Sequence, residues 1–200
     1  MKRLAAACAG MLLVLVLAAC ASRGGTSGDG WTTLFDGKDL KQFYTVGKAN
    51  WRIEGDSVVA DKKDGKDNGF LVTNDFYKNF QLHAEFWVSN DANSGIFMRC
   101  GNPEVLTDKV CYEANIFDQR PDPSYGTGAL VHIVKALDPM PKAGGKWNAY
   151  DITVQGDHIV AVLNGVKTVD VHDKKLNDGR IGLQYAAGVV KFRNVRVKRL

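Results

Sequence analysis

Several things are scarce in this sequence, and each scarcity removes a class of protein. No helical periodicity of 3.6 residues runs for ten residues beyond the N-terminal segment, which excludes a helical bundle. The long apolar run, Leu4 to Leu17, is shorter than the ~20 residues a membrane-spanning helix needs. Charge of one sign is also scarce: the formal net charge is +4, and loss of Lys2 and Arg3 with the leader takes it to +2. The basic cluster Lys191–Arg199 alternates as a strand would, so it reads as a solvated face and no nucleic-acid partner is expected. Cysteines number four. Cys8 falls in the leader, and Cys100 and Cys111 have no Cys or His near them in sequence, which argues against a Cys/His metal site.

The N-terminus is informative. Lys2 and Arg3 precede the apolar run, and together they read as a secretory signal peptide over residues 1–19. Leu17-Ala18-Ala19-Cys20 resembles the lipobox of bacterial lipoproteins, in which the Cys, here Cys20, is lipidated and becomes the first residue. Residues 20–30 are the lipidated Cys and a Gly/Ser-rich flexible tether, and 31–200 form one domain. The expectation is a cell-envelope protein on the periplasmic face of the outer membrane, touching membrane only through its lipid. Export makes a Cys100–Cys111 disulfide plausible at the ends of two strand-like runs; two free thiols are the alternative.

The rest of the chain is built of short alternating segments: 81–88, 95–100, 111–117, 149–155, 158–165, 180–186 and 190–200. Turn signals separate them, and Asn164-Gly165 reads as a tight hairpin turn. The fold class is therefore all-β, a sandwich or barrel of antiparallel strands. The longest stretch with no clear element is 118–147, which holds four of the five prolines and reads as a functional loop. Alternation sorts faces. Leu82, Ala84, Phe86 and Val88 point one way and Trp87 the other. Phe97 shares a face with Arg99, Glu113 with Asn115, and Gly182 with Gln184. Faces that mix aromatic rings with planar polar groups suit a sugar, because rings stack on its C–H faces while amides, carboxylates and guanidinium groups bond its hydroxyls.

Eight motifs in order then carry a resemblance: Trp31–Leu40 (WTTLFDGKDL), Asn93–Arg99 (NSGIFMR), Tyr112–Asp118 (YEANIFD), Thr127–Leu130 (TGAL), Lys146–Ile152 (KWNAYDI), Asn164-Gly165, Ile181–Gln184 (IGLQ) and Val190–Leu200 (VKFRNVRVKRL). In this order they resemble the 3-keto-disaccharide hydrolase domain family over essentially the whole of 31–200. The resemblance implies a concanavalin-like jelly-roll sandwich of two antiparallel sheets with ligand on a concave face, and an exported protein acting on 3-keto-glycosides. A ketone at C3 makes the C2 proton acidic, so a base can remove it, the C1 substituent can leave, and water can add back. No cofactor is certain; a divalent metal could act as the electrophile. The alternative on the same fold is a non-catalytic carbohydrate-binding envelope lipoprotein.

Within that frame, Glu113 is the leading catalytic acid or base, with a structural pairing to Arg99 as its alternative. Arg99 would bind the 3-oxo oxygen or steer Glu113. Asn115, Asn148 and Gln184 would bond sugar hydroxyls. Asp118 would be a second acid or a metal ligand, Trp87 and Phe97 would be stacking platforms, and His132 would bind substrate. Two departures from the family pattern bear on any metal site: Tyr185-Ala186-Ala187 stands where many relatives have a His, and Asn115 where many have Gln. An ordinary retaining glycosidase would need Glu113 and Asp118 about 5–5.5 Å apart, hence a bulge between them.

Overall fold

The computed structural model describes residues 28–102 and 104–200. The signal peptide assigned to 1–19 and the lipidation assigned to Cys20 lie outside these residues. Among the described residues thirteen strands form the domain. β1 (Trp31–Phe35), β2 (Phe43–Val46), β3 (Arg52–Glu54), β4 (Ser57–Ala60) and β5 (Gly69–Thr73) come first, followed by β6 (Phe80–Val88), β7 (Ser94–Cys100) and β8 (Tyr112–Ile116). β9 (Trp147–Gln155), β10 (His158–Leu163), β11 (Val166–His172), β12 (Arg180–Tyr185) and β13 (Val190–Arg199) complete the chain. Every alternating segment of the sequence is a strand. The five N-terminal strands carry no such signal: the consecutive apolar residues of β4 (SVVA) and β5 (GFLVT) face both sides of their sheets, so they show no two-residue period.

The strands form two antiparallel sheets packed face to face. The eight-stranded sheet runs β11-β10-β9-β6-β13-β4-β3, with β1 pairing the C-terminal half of β13 beyond β4. The five-stranded sheet runs β2-β5-β12-β7-β8. Period-2 patterning decides what lies between them. Leu82, Ala84, Phe86 and Val88 of β6 and Tyr150, Ile152 and Val154 of β9 meet Ile96 and Met98 of β7, Tyr112, Ala114 and Ile116 of β8, and Leu183 of β12. The β10–β11 hairpin turns through Asn164 (φ 52°) and Gly165 (φ 82°), both left-handed, as a two-residue turn matched to strand twist requires.

The five-stranded sheet is covered on its outer face as well. There Phe70, Val72, Phe97 and Leu106 pack around Cys100 and Cys111, and these two cysteines form a disulfide with Cα atoms 4.7 Å apart. The bond closes the loop between β7 and β8, which brings Leu106 onto the sheet. Closing a loop of this length restricts the unfolded chain by about 2–3 kcal/mol. Replacing both cysteines by serine is therefore expected to lower Tm by roughly 4–12 °C in a domain of this size. An unchanged melting curve by calorimetry would show that packing alone holds the loop.

Candidate active site

The outer face of the five-stranded sheet carries a cleft of about 310 Å³. Its floor follows from strand alternation. On β8, Tyr112, Ala114 and Ile116 face the core, so Glu113 and Asn115 face outward. Phe97 of β7 is paired with Glu113, and β12 on the other side of β7 contributes Gln184. Two glycines leave room for this arrangement. A Cβ at Gly95 would lie 2.7 Å from Glu113 Oε1, and one at Gly182 would lie 2.6 Å from the Leu106 side chain. Asn93, Asp108, Phe117, Arg120 and Tyr125 complete the walls. A second depression of about 470 Å³ adjoins the cleft and shares Asn68, Leu106 and Thr107 with it.

Glu113 is 7% exposed. Its carboxyl group makes no hydrogen bond or ion pair among the described residues. Burial pushes its pKa up to about 8, and the nearby Asp108 charge adds to the rise. Gln184 is also buried, and its Oε1 has no hydrogen-bond partner. A buried amide oxygen and a buried carboxyl group without partners, facing one cleft, are groups that a bound molecule would satisfy.

The 118–147 region supplies the wall. Residues 128–131 lie along the free edge of β8: Asn115 N donates to Ala129 O (3.0 Å), Gly128 N to Asn115 O (3.1 Å) and Val131 N to Glu113 O (3.0 Å). A short 3-10 turn, Pro123–Tyr125, is capped by Asp122, whose carboxylate accepts from Ser124 N. Asn115 Nδ2 donates to Tyr125 O. The Tyr125 hydroxyl lies 3.1 Å from His132 Nδ1, and His132 Nε2 lies 2.8 Å from Asp108 Oδ2.

Four of the residues expected in the site belong elsewhere. Arg99 does not reach Glu113. β7 carries an extra residue opposite β12, between the Arg180–Cys100 and Gly182–Phe97 pairs. Arg99 there adopts φ 53°, which breaks the alternation. Its buried guanidinium donates to the carbonyls of Lys78 (2.6 Å), Gly156 (2.8 Å) and Leu176 (2.8 Å). Trp87 stands on the outer face of the other sheet, beside Trp147 and with Lys191 Nζ 5.3 Å from its ring centroid. Asn148 faces the core from β9 and is consumed by the carbonyls of Ala143 and Lys146 and by Asn164 Nδ2. Asp118 is a loop clamp. Its carboxylate accepts from Thr127 Oγ1 (2.6 Å), Ala143 N (2.8 Å) and Gly144 N (2.8 Å). That leaves it no part as a second catalytic carboxylate, and the retaining-glycosidase arrangement falls with it.

Glu113, Asn115 and Gln184 do come together, and Phe97 lies with them, packed edge-on against Phe70. His132 sits behind Tyr125 at the rim. Asp108, Arg120 and Tyr125 had no local signal beyond their place in or near proline-rich loops. Among the described residues no three His, Cys, Asp or Glu side chains are grouped to hold a metal ion.

Glu113 makes stability depend on pH. With its folded pKa raised above the unfolded value, the native state keeps a proton that the unfolded chain has released, so Glu113 lowers stability as pH rises from about 4.5 towards 8. Glu113→Gln is expected to gain stability on wild type over that window in denaturant titrations. A difference that stays constant with pH would refute the raised pKa.

Comparison with known proteins places these features. The profile of the 3-keto-alpha-glucoside-1,2-lyase-like domain matches residues 30–198. The 3-keto-disaccharide hydrolase of Bacteroides thetaiotaomicron is 26% identical over 228 aligned positions, covering 85% of this chain and 78% of the relative. Two solved structures from Parabacteroides distasonis share the fold. One has a TM-score of 0.74 at 19% identity, over 86% of this chain and 94% of its own. The other has a TM-score of 0.70 at 25% identity, over 85% of this chain and 99% of its own. A carbohydrate-binding module of Bacillus subtilis has a TM-score of 0.58 at 18% identity, over 84% of this chain and 95% of its own, which shows the sandwich fold alone. The match runs through almost every element described above, and the chain belongs to the 3-keto-alpha-glucoside-1,2-lyase-like domain family.

Proposed function

We propose that this chain hydrolyses 3-keto-glycosides by elimination and hydration, with Glu113 as the base at C2. The observation that carries the reading is the Glu113 carboxyl group, buried without a partner at the floor of the cleft with its pKa up to about 8. A base matched to near-neutral pH suits removal of a proton made acidic by an adjacent ketone. Gln184, Asn93 and Arg120 supply polar groups for the sugar oxygens, and Phe97 supplies an apolar surface beneath the ring. The name of the Bacteroides relative points to the same substrate class. A purely binding module would offer an open aromatic groove without a perturbed carboxylate, and the buried Glu113 favours catalysis over it. On this reading the protein works in the cell envelope. The signal-like N-terminus and Cys20 supply export and a lipid anchor, and the Cys100–Cys111 disulfide suits an oxidising compartment.

The test is release of 4-nitrophenol from 4-nitrophenyl 3-keto-glucoside above the uncatalysed rate, with the unoxidised glucoside as control. A base must be ionised, so kcat/KM is expected to rise about tenfold per pH unit below 8 and to level above it. Glu113→Gln should lose at least ~10²-fold. No turnover by wild type, or a rate that falls as pH rises towards 8, would overturn the assignment of Glu113 as base.

A further inference from the structure

We infer that Tyr125 delivers the proton to the departing glycosidic oxygen, supplied through His132 from a relay that Asp108 anchors. The inference rests on the elimination reading above and fills the role which that reading leaves open. Removing the C2 proton is half of the reaction. An alkoxide leaving from C1 also needs a proton, and Glu113 is occupied in taking one.

Tyr125 and Asp108 both line the cleft that Glu113 floors. His132 joins them, with its Nδ1 3.1 Å from the Tyr125 hydroxyl and its Nε2 2.8 Å from Asp108 Oδ2. The three come from separate segments, so the linkage is tertiary. His132 is held at φ 66°, a backbone region that costs a non-glycine residue energy and persists only when its surroundings enforce it. Here the enforcement comes from the turn between the two pairings of Leu130, with Ala114 and with Val134. Tyr125 is itself fixed, by Asn115 on its carbonyl and by Arg120, whose guanidinium carbon lies 4.8 Å from the ring centroid. The His132 side chain is 41% exposed, so the relay can reload from solvent without opening the cleft.

The step balances as follows. In the loaded state the imidazolium of His132 donates Nε2–H to Asp108 and Nδ1–H to the Tyr125 oxygen, and the Tyr125 O–H points at the glycosidic oxygen. Glu113 takes the C2 proton, and the C–H electron pair becomes the C1=C2 bond. The C1–O bond breaks, its pair stays on oxygen, and that oxygen takes the Tyr125 proton while His132 refills Tyr125. Glu113 has gained one proton and His132 has lost one. Addition of water to C1 returns a proton from the water to Tyr125 and His132, and Glu113 gives its own back to C2.

Leaving-group dependence tests this. 4-Nitrophenoxide departs without a proton and methoxide does not, so Tyr125→Phe should keep turnover of 4-nitrophenyl 3-keto-glucoside within a few-fold and lose about 10²- to 10⁴-fold on the methyl 3-keto-glucoside. His132→Asn, which tolerates the left-handed backbone, should show the same selective loss. Equal losses on both substrates would overturn the relay and make Tyr125 a wall residue. Full activity of both variants on both substrates would overturn it too, leaving Glu113 as base intact. A wild-type protein inactive on both would sink the elimination reading and the relay together.

Discussion

The free edge of β8 sets the arrangement of everything around the cleft. An edge strand exposes backbone groups that must be paired or hydrated, and a bare edge invites pairing with other chains. Here residues 128–131 pair with it, through Ala129, Gly128 and Val131. This pairing covers the edge and fixes the height at which the preceding turn crosses the sheet. Tyr125 at the cleft and His132 behind it therefore sit on either side of a segment whose position is dictated by β8, the strand that bears Glu113. Asp118 secures the other end of the same region, since one carboxylate draws together Thr127, Ala143 and Gly144. Floor and wall are thus tied to one strand.

How much of this could be read from the sequence depended on whether a residue obeyed a period. In β6, β8 and β9 apolar residues alternate with polar ones, so the period is plain and places Glu113 and Asn115 correctly. β4 and β5 are apolar on both faces and show nothing. Arg99 misled because a bulge is a local backbone choice: one left-handed residue turned it from the cleft to three carbonyls on the far side. Asn148 misled in a different way, since a family motif marks what is needed and not why; its amide shapes the start of β9. Tyr125, His132 and Asp108 meet across 7 and 24 residues of chain, a convergence set by tertiary pairing that no local pattern announces.

The site joins two environments. Its floor is a buried sheet face on which a carboxyl group resists ionisation, and its rim is open to solvent, with Arg120 exposed and His132 partly so. Such a split suits a reaction with two proton transfers of opposite sense. Pairs of titratable groups whose surroundings differ are how one pocket can hold an acid and a base together.

The same division has an evolutionary consequence. β7, β8 and β12 are laced into the five-stranded sheet, and the end of β7 is pinned through Arg99 to the carbonyls of three separate turns. Mutations there disturb the whole sandwich. The β7–β8 loop and the short stretch 119–124 lie outside those strand pairings, so they can change composition while the floor stays the same. Substitutions on the rim can therefore change what the cleft admits while the floor that holds Glu113 and Gln184 stays unchanged.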